Sequence, residues 1–462
     1  MAEINADIGI VGGGPAGACA AMRLADLGHR VVLLERERFP RVHVGEALSP
    51  GVAAQLGSLG SGGLLGRVGA LRFDSSLIRW GGGWEVRPAH WDAVTVDRGR
   101  FDSALLIEAE RRGAIVVQPA RARSCIRTRS GWRVEADVDG GRKIVDCGFL
   151  IDASGRSGFL GRRRVRSSAT FALHAYWCGR APTRPAVVAG ADHWIWAAPV
   201  PGLGCSIMLF LDKEGLRRRR GDIEGSYRAD LKAAGLLGRD GAWMLGPVRL
   251  CDSSAYEGDE VAGADWLRIG EAAFALDPLS ASGVQKAIAT ALTGAIVANT
   301  LLRRPGNAAL ALDFYRSEQK RTFRRHLAWA GAVYAENRSG LGSSFWEVRS
   351  ASAQPEGPTG PMRPLAPAEK LVLSAEARFE AVATIGPTFI EARPGIVPPA
   401  DGRPIAFLGG IELAPFLSRH LPASAADLAK RLAIPAPYHS LKRLIELGIL
   451  SRSATPSSDT AP

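Results

Sequence analysis

The stretch Asp7-Ile8-Gly9-Ile10-Val11-Gly12-Gly13-Gly14-Pro15-Ala16-Gly17 decides the fold. An apolar run breaks into glycines and resumes as a small-residue segment, Ala18 to Leu27, closed by Gly28. This reads as strand, tight turn and helix. Gly12 lets the chain turn sharply, Gly14 leaves room for a pyrophosphate, and Gly17 lets the helix sit close on the strand. A second apolar run, Val31 to Leu34, ends on Glu35, whose carboxylate can accept from both hydroxyls of a ribose. A lone GxGxxG is weak evidence. Strand, helix and acid in this order point to an adenine dinucleotide with its phosphates at the helix N-terminus.

The 462 residues suffice for two or three packed domains, and 46% hydrophobic with 23% charged residues is an ordinary globular balance. The N-terminus reads without a basic-then-apolar leader. The longest charge-free apolar helix candidate, Ala287 to Leu302, is too short to span a bilayer and reads as a buried helix, so no membrane association is expected. Six scattered cysteines without C-x-x-C spacing argue for a reducing, cytoplasmic setting and against a zinc site or other metal centre.

The formal charge is +12, with 50 arginines against 8 lysines. Two basic runs stand out, Arg162-Arg163-Arg164 with Arg166, and Arg217 to Arg220. They read either as solvated loops near a phosphate-bearing cofactor or as a docking surface for an acidic protein. No aromatics interleave with them, so nucleic acid is not expected as a partner.

Residues 1–345 alternate strand-like and helix-like segments. A region at 346–404 follows, with ten prolines between Pro355 and Pro404, and reads as a linker containing one helix candidate, Ala366 to Thr384. Residues 405–452 read as three short helices: Ile405–Leu417, Ala423–Leu432 and Tyr438–Leu447. They resemble a winged-helix module, serving as a cap on the body or as a grip for a peptide. The tail 453–462 is Ser/Thr/Pro-rich and expected to be disordered.

Four further segments follow in order. Arg98 opens a helix in Val96-Asp97-Arg98-Gly99-Arg100-Phe101-Asp102. Ile115-Val116-Val117 leads to Ala122. Leu150-Ile151-Asp152-Ala153-Ser154-Gly155 is an apolar strand breaking into a small-residue turn. Leu267-Arg268-Ile269-Gly270-Glu271-Ala272-Ala273 continues to Asp277-Pro278-Leu279-Ser280-Ala281-Ser282-Gly283. Together with the opening turn, these segments resemble the FAD-dependent monooxygenases of the aromatic-hydroxylase type and their flavin-dependent halogenase relatives.

The resemblance implies an α/β fold. It comprises a Rossmann-like FAD domain of the glutathione-reductase type, an inserted β-sheet substrate domain (about 71–97 and 166–260), and the C-terminal helical, winged-helix-like module. It also implies that Gly12, Gly14, Pro15, Ala16 and Gly17 meet the FAD pyrophosphate. Glu35 and Arg36 would hold the ribose side, Arg98 the phosphate side and the Ala122 backbone the adenine. Asp277 would hold the ribityl chain, and Ser282 and Gly283 would present N–H groups to the flavin. Glu271 departs from the aspartate usual in the family. No second GxGxxG occurs, so electrons would come from a reduced nicotinamide or from reduced flavin made by a reductase, with molecular oxygen as co-substrate.

Val44-Gly45-Glu46-Ala47-Leu48-Ser49-Pro50 resembles the loop that halogenases place beside the flavin. Trp194-Ile195-Trp196-Ala197-Ala198-Pro199 resembles their paired-tryptophan motif, although ordinary sheet packing explains two tryptophans as well. The halogenase resemblance implies an essential lysine a few tens of residues after that loop, whereas the first lysine here, Lys143, lies far downstream. The nearest basic residues, Arg72 and Arg79, cannot offer a neutral amine. A halogenase-like body without that lysine, carrying a C-terminal module, resembles the flavoproteins of tryptophylquinone biogenesis, the peptidyl-tryptophan dihydroxylases of quinohemoprotein amine dehydrogenase maturation.

This resemblance implies hydroxylation of a tryptophan in a peptide or protein substrate that a radical S-adenosylmethionine enzyme also crosslinks. The rival readings are a halogenase-like enzyme and a small-molecule phenol or indole hydroxylase. Glu46 is the candidate for proton handling, against a structural role in holding its loop. His43 and His174 are further titratable candidates. Trp177, Trp194, Trp196 and Phe210 are the candidate substrate wall.

Overall fold

The computed structural model describes residues 2–88, 93–161, 163–165, 167–238, 241–337, 343–353, 363–399 and 402–453. Arg162 and Arg166 of the first basic run, residues 354–362 of the linker and 454–462 of the tail lie outside them.

The opening turn is built as its residues dictate. Strand Ala2–Val11 leads to helix Pro15–Asp26 and then to strand Val31–Leu34, which pairs parallel with the first, Ile8 opposite Val31. Gly12 sits at φ +109°, and a Cβ there would lie 2.3 Å from the Ala153 carbonyl oxygen. A Cβ on Gly17 would lie 1.8 Å from the Gly12 carbonyl oxygen, so helix and turn touch through glycine. The sheet continues parallel through Gly141–Asp152 to Trp266–Arg268 on one side and to Ile115–Val117 on the other. The fully buried run Val31–Leu34 is what a strand covered on both faces requires. The helix Gly283–Arg303, which contains the charge-free stretch, packs against helix Pro15–Asp26, with Ile288, Ala291, Ala295 and Ala298 buried.

A second sheet has seven strands, drawn from residues 75–88 and 171–252. Their order is Ala242–Asp252, Phe171–Gly179, Gly204–Leu211, Trp194–Val200, Ala186–Ala189, Ser75–Arg79 and Glu85–Pro88. One face packs Leu173, Ala175, Trp177, Ile207 and Leu209 against Tyr227 and Leu231 of helix Ile223–Ala233. The other face looks into a cavity.

By contacts the chain divides into two compact units, Met1–Ala308 with Tyr315–Pro355, and Ala309–Phe314 with Glu356–Pro462. In the second, helices Leu413–His420, Ala425–Leu432 and Pro437–Glu446 bury Leu413, Leu417, Leu428, Leu432, Leu441 and Leu444 around Leu371. The helix expected at 366–384 is instead two strands, Lys370–Leu373 and Arg378–Ile385, in which Val372, Phe379, Val382, Thr384 and Ile385 are β-branched or aromatic. The helix expected from Ile405 begins only at Leu413. Gly409 and Gly410, at φ +58° and +86°, form a hairpin turn before it. Among the described residues no helix is long and apolar enough to cross a membrane.

The second basic run is largely neutralised at home. Arg217 pairs with Glu214, Arg218 with Asp192 and Arg219 with Asp230.

Candidate active site

The first unit encloses a cavity of about 1150 Å³ that joins the glycine turn to the second sheet. Its lining brings together Gly12, Gly14, Pro15, Ala16, Glu35, Arg36, Arg98, Ala122, Asp277, Ser282 and Gly283 from segments far apart in the chain. Gly17 lies behind the turn rather than on the cavity.

The cradle is shaped for an anionic, hydroxyl-rich ligand. The Glu35 carboxylate accepts from Gly13 N–H at 2.6 Å and Glu37 N–H at 2.9 Å, leaving one lone pair on each oxygen free for a ribose. A Cβ on Gly14 would meet only the Arg41 guanidinium, 3.5 Å away, so the glycine keeps space rather than backbone freedom. Arg41 lines the cavity with Asp102 and Glu37 3.8 and 4.0 Å from its guanidinium, and its buried Nε has no partner, leaving a donor for an anionic ligand. Burial pushes the Asp277 carboxyl above the usual carboxylate range, and Tyr334 Oη donates to it at 2.9 Å. These features fit a flavin adenine dinucleotide.

Arg98 has a role that sequence alone did not indicate. Its guanidinium makes a bidentate pair with buried Asp102 at 2.8 and 3.0 Å, and donates to the Val44 and Gly45 carbonyls at 3.0 and 3.1 Å. It therefore braces the loop carrying Glu46. Glu271 stands 3.5 Å from Arg156, and both line the cavity.

Glu46 is buried at the cavity and held from three directions. Tyr176 Oη donates to Oε1 at 2.6 Å, Gly45 N–H to Oε2 at 3.0 Å, and Ser206 Oγ to Oε2 at 3.3 Å. Ser206 Oγ also lies 3.1 Å from His174 Nε2. Tyr176 and Ser206 are directly opposite on paired strands, which is why they reach one carboxylate. His43 lines the cavity and bonds the Val44 carbonyl at 2.7 Å.

Burial pulls the His174 imidazole down to about 4. As pH falls from 6.5 toward 4, the unfolded chain takes a proton that the folded one refuses, so stability falls through that window. The full difference is about 3 kcal/mol. Urea unfolding at pH 7.5 and 4.5 checks this: His174→Gln should lose about 2–3 kcal/mol less than the wild type on acidification. Equal losses exclude His174 as the origin.

The wall follows from strand alternation. Trp194 and Trp196 on one strand oppose Phe210 and Met208 on the next, and all four line the cavity. The Trp194 and Phe210 rings stack at 3.9 Å and 13°. Trp80, Tyr334 and Trp346 back Trp194 from behind. Trp177 is not part of the wall. It is odd in the alternation of Phe171–Gly179, so it points into the opposite core, where its Nε1 donates to Tyr227 Oη at 3.2 Å. Sequence reading also missed Arg41, Arg156, Tyr176 and Ser206. For Tyr176, the alternation His174/Tyr176 was the available signal.

Known proteins resemble this chain in sequence and in fold. The family model described as tryptophan halogenase matches residues 7–61. A tryptophan 2-halogenase of Chondromyces crocatus is 28% identical over 377 residues, 74% of this chain and 68% of the relative. The chain belongs with the flavoprotein enzymes. The structure of the flavin-dependent halogenase CmlS superposes with a TM-score of 0.81 over 97% of this flavoprotein and 96% of CmlS, at 20% identity, a likeness of fold. The peptidyl tryptophan dihydroxylase QhpG, essential for tryptophylquinone cofactor biogenesis, superposes with a TM-score of 0.72 at 28% identity, covering 96% of this chain and 99% of QhpG.

Proposed function

We propose that this protein is an FAD-dependent monooxygenase that hydroxylates an electron-rich ring, a tryptophan side chain within a peptide or protein. One observation carries the reading: the cavity joins a dinucleotide cradle to a stacked Trp194–Phe210 wall beside Glu46, and no lysine is among its described lining residues. Reduced FAD supplies activation of dioxygen. The chain does the rest. Glu35, Arg41 and the N-terminus of helix Gly283–Arg303 hold the dinucleotide. Trp194, Trp196 and Phe210 orient the ring and exclude water. The Glu46 carboxylate takes the proton that the attacked ring carbon sheds. The likeness to QhpG along nearly its whole length supports a peptidyl substrate. A cytoplasmic setting, a reductase or nicotinamide as electron source, and a radical S-adenosylmethionine enzyme sharing the substrate belong to the same proposal. So does a winged-helix role for residues 405–452.

A halogenase reading is favoured by the family model and by the Chondromyces relative. One experiment separates the two. Protein loaded with chemically reduced FAD is mixed with a tryptophan peptide, bromide and oxygen-18 dioxygen. Hydroxylation adds labelled oxygen to the peptide mass. A bromine isotope doublet instead overturns the proposal.

A further inference from the structure

The strand Ala242–Asp252 lies at the edge of the second sheet, and no strand among the described residues pairs with its outer side. Its pairing with Phe171–Gly179 sets Cys251 opposite Ala172, Arg249 opposite His174, Leu245 opposite Tyr176 and Trp243 opposite Cys178. Directly opposed residues in an antiparallel pair share a face. Trp243 and Leu245 therefore stand on the face that carries Tyr176, Ser206 and the aromatic wall, yet they are 56% and 45% exposed. The same strand runs on into Cys251 and Asp252, which line the cavity.

Trp243 is exposed but seated. A Cβ on Gly179 would lie 2.5 Å from its ring, so the indole occupies the space that a side chain at Gly179 would fill. A ring fixed in this way loses little freedom when a partner covers it. The outer edge itself is a poor template for another strand. Gly246, at φ +83°, and Pro247 interrupt it, and proline offers no N–H. The face, not the edge, is what the strand offers.

We propose that the Trp243–Leu245 face is a docking ramp for an extended segment of the protein substrate, anchored there by an apolar side chain. The inference rests on the peptidyl reading above. The ramp specifies spacing. Three same-face steps separate Trp243 from Cys251, about 20 Å. An extended chain covers that in about six residues, so the anchor sits about six positions from the modified tryptophan. Arg249 on the same face and the net charge of +12 favour acidic residues in between.

The test uses FAD-loaded full-length protein and fluorescein-labelled synthetic 15-residue peptides. Each has one tryptophan, acidic residues beside it, and either Leu or Ser six positions away. The wild type should bind the Leu peptide at least about tenfold more tightly than the Ser peptide, and the double variant Trp243→Ala/Leu245→Ser should erase that difference. Ile126→Ser, another exposed apolar site, should preserve it. If the Leu peptide is bound and oxidised with equal affinity by wild type and double variant, the ramp is overturned while the peptidyl reading stands. If neither peptide is bound or oxidised but free indole is, the peptidyl reading falls and takes the ramp with it. A wild-type dimer that the double variant dissolves, with peptide affinity unchanged, assigns the face to self-association and overturns the proposal.

Discussion

Glu46→Gln is expected to slow product formation by about 10²- to 10⁴-fold while leaving FAD bound, the range that removal of a positioned proton acceptor produces. Glutamine keeps the shape of the side chain. Its carbonyl can accept from Gly45 N–H and Ser206 Oγ while Tyr176 turns its hydroxyl to accept from the amide, so each bond now made to Oε1 and Oε2 has a replacement. The variant should therefore fold and remain yellow. What it loses is a basic oxygen inside the cavity. Single-turnover mixing of the reduced protein with dioxygen and substrate reads the effect directly. Unchanged turnover reduces Glu46 to a brace for its loop.

Gly14→Val should yield folded, colourless protein, with FAD affinity reduced by about five- to 150-fold, the range that 1–3 kcal/mol of overpacking gives. The backbone at Gly14 has φ −68° and ψ −176°, which any residue adopts, so the fold tolerates the change. The added methyls project toward Arg41 and into the cavity. Circular dichroism should match the wild type, and the absorption spectrum should lack flavin. A yellow variant with unaltered affinity would remove the cradle from its assigned role. Gly17→Val is the contrast: its Cβ would strike the Gly12 carbonyl oxygen, so folding itself should suffer.

These two residues illustrate what the chain makes legible. The glycine turn and Glu35 lie close together in the sequence and their steric demands are local, so glycine placement alone exposed that part of the cradle. Glu35 was readable for the same reason. The wall was half readable. Trp194 and Trp196 alternate on one strand, but which face of Phe171–Gly179 looks into the cavity depends on register with distant strands, and Trp177 fell on the far side. The Glu46 cluster was out of reach. Tyr176 and Ser206 arrive from 130 and 160 residues away, brought together by pairing that no local pattern announces. Arg98 was found, but its buried partner Asp102 and its hold on Val44 and Gly45 appear only in three dimensions. In the second unit, leucines and alanines suggested helix where paired glycines and β-branched residues made hairpins.

The clasp between Arg98 and the carbonyls of Val44 and Gly45 ties the acid-bearing segment to the helix that Arg98 opens, so the two keep one fixed relation. The rings of Trp194, Trp196 and Phe210 take no part in that clasp. Substitutions in those rings can therefore reshape the wall while the clasp stays intact.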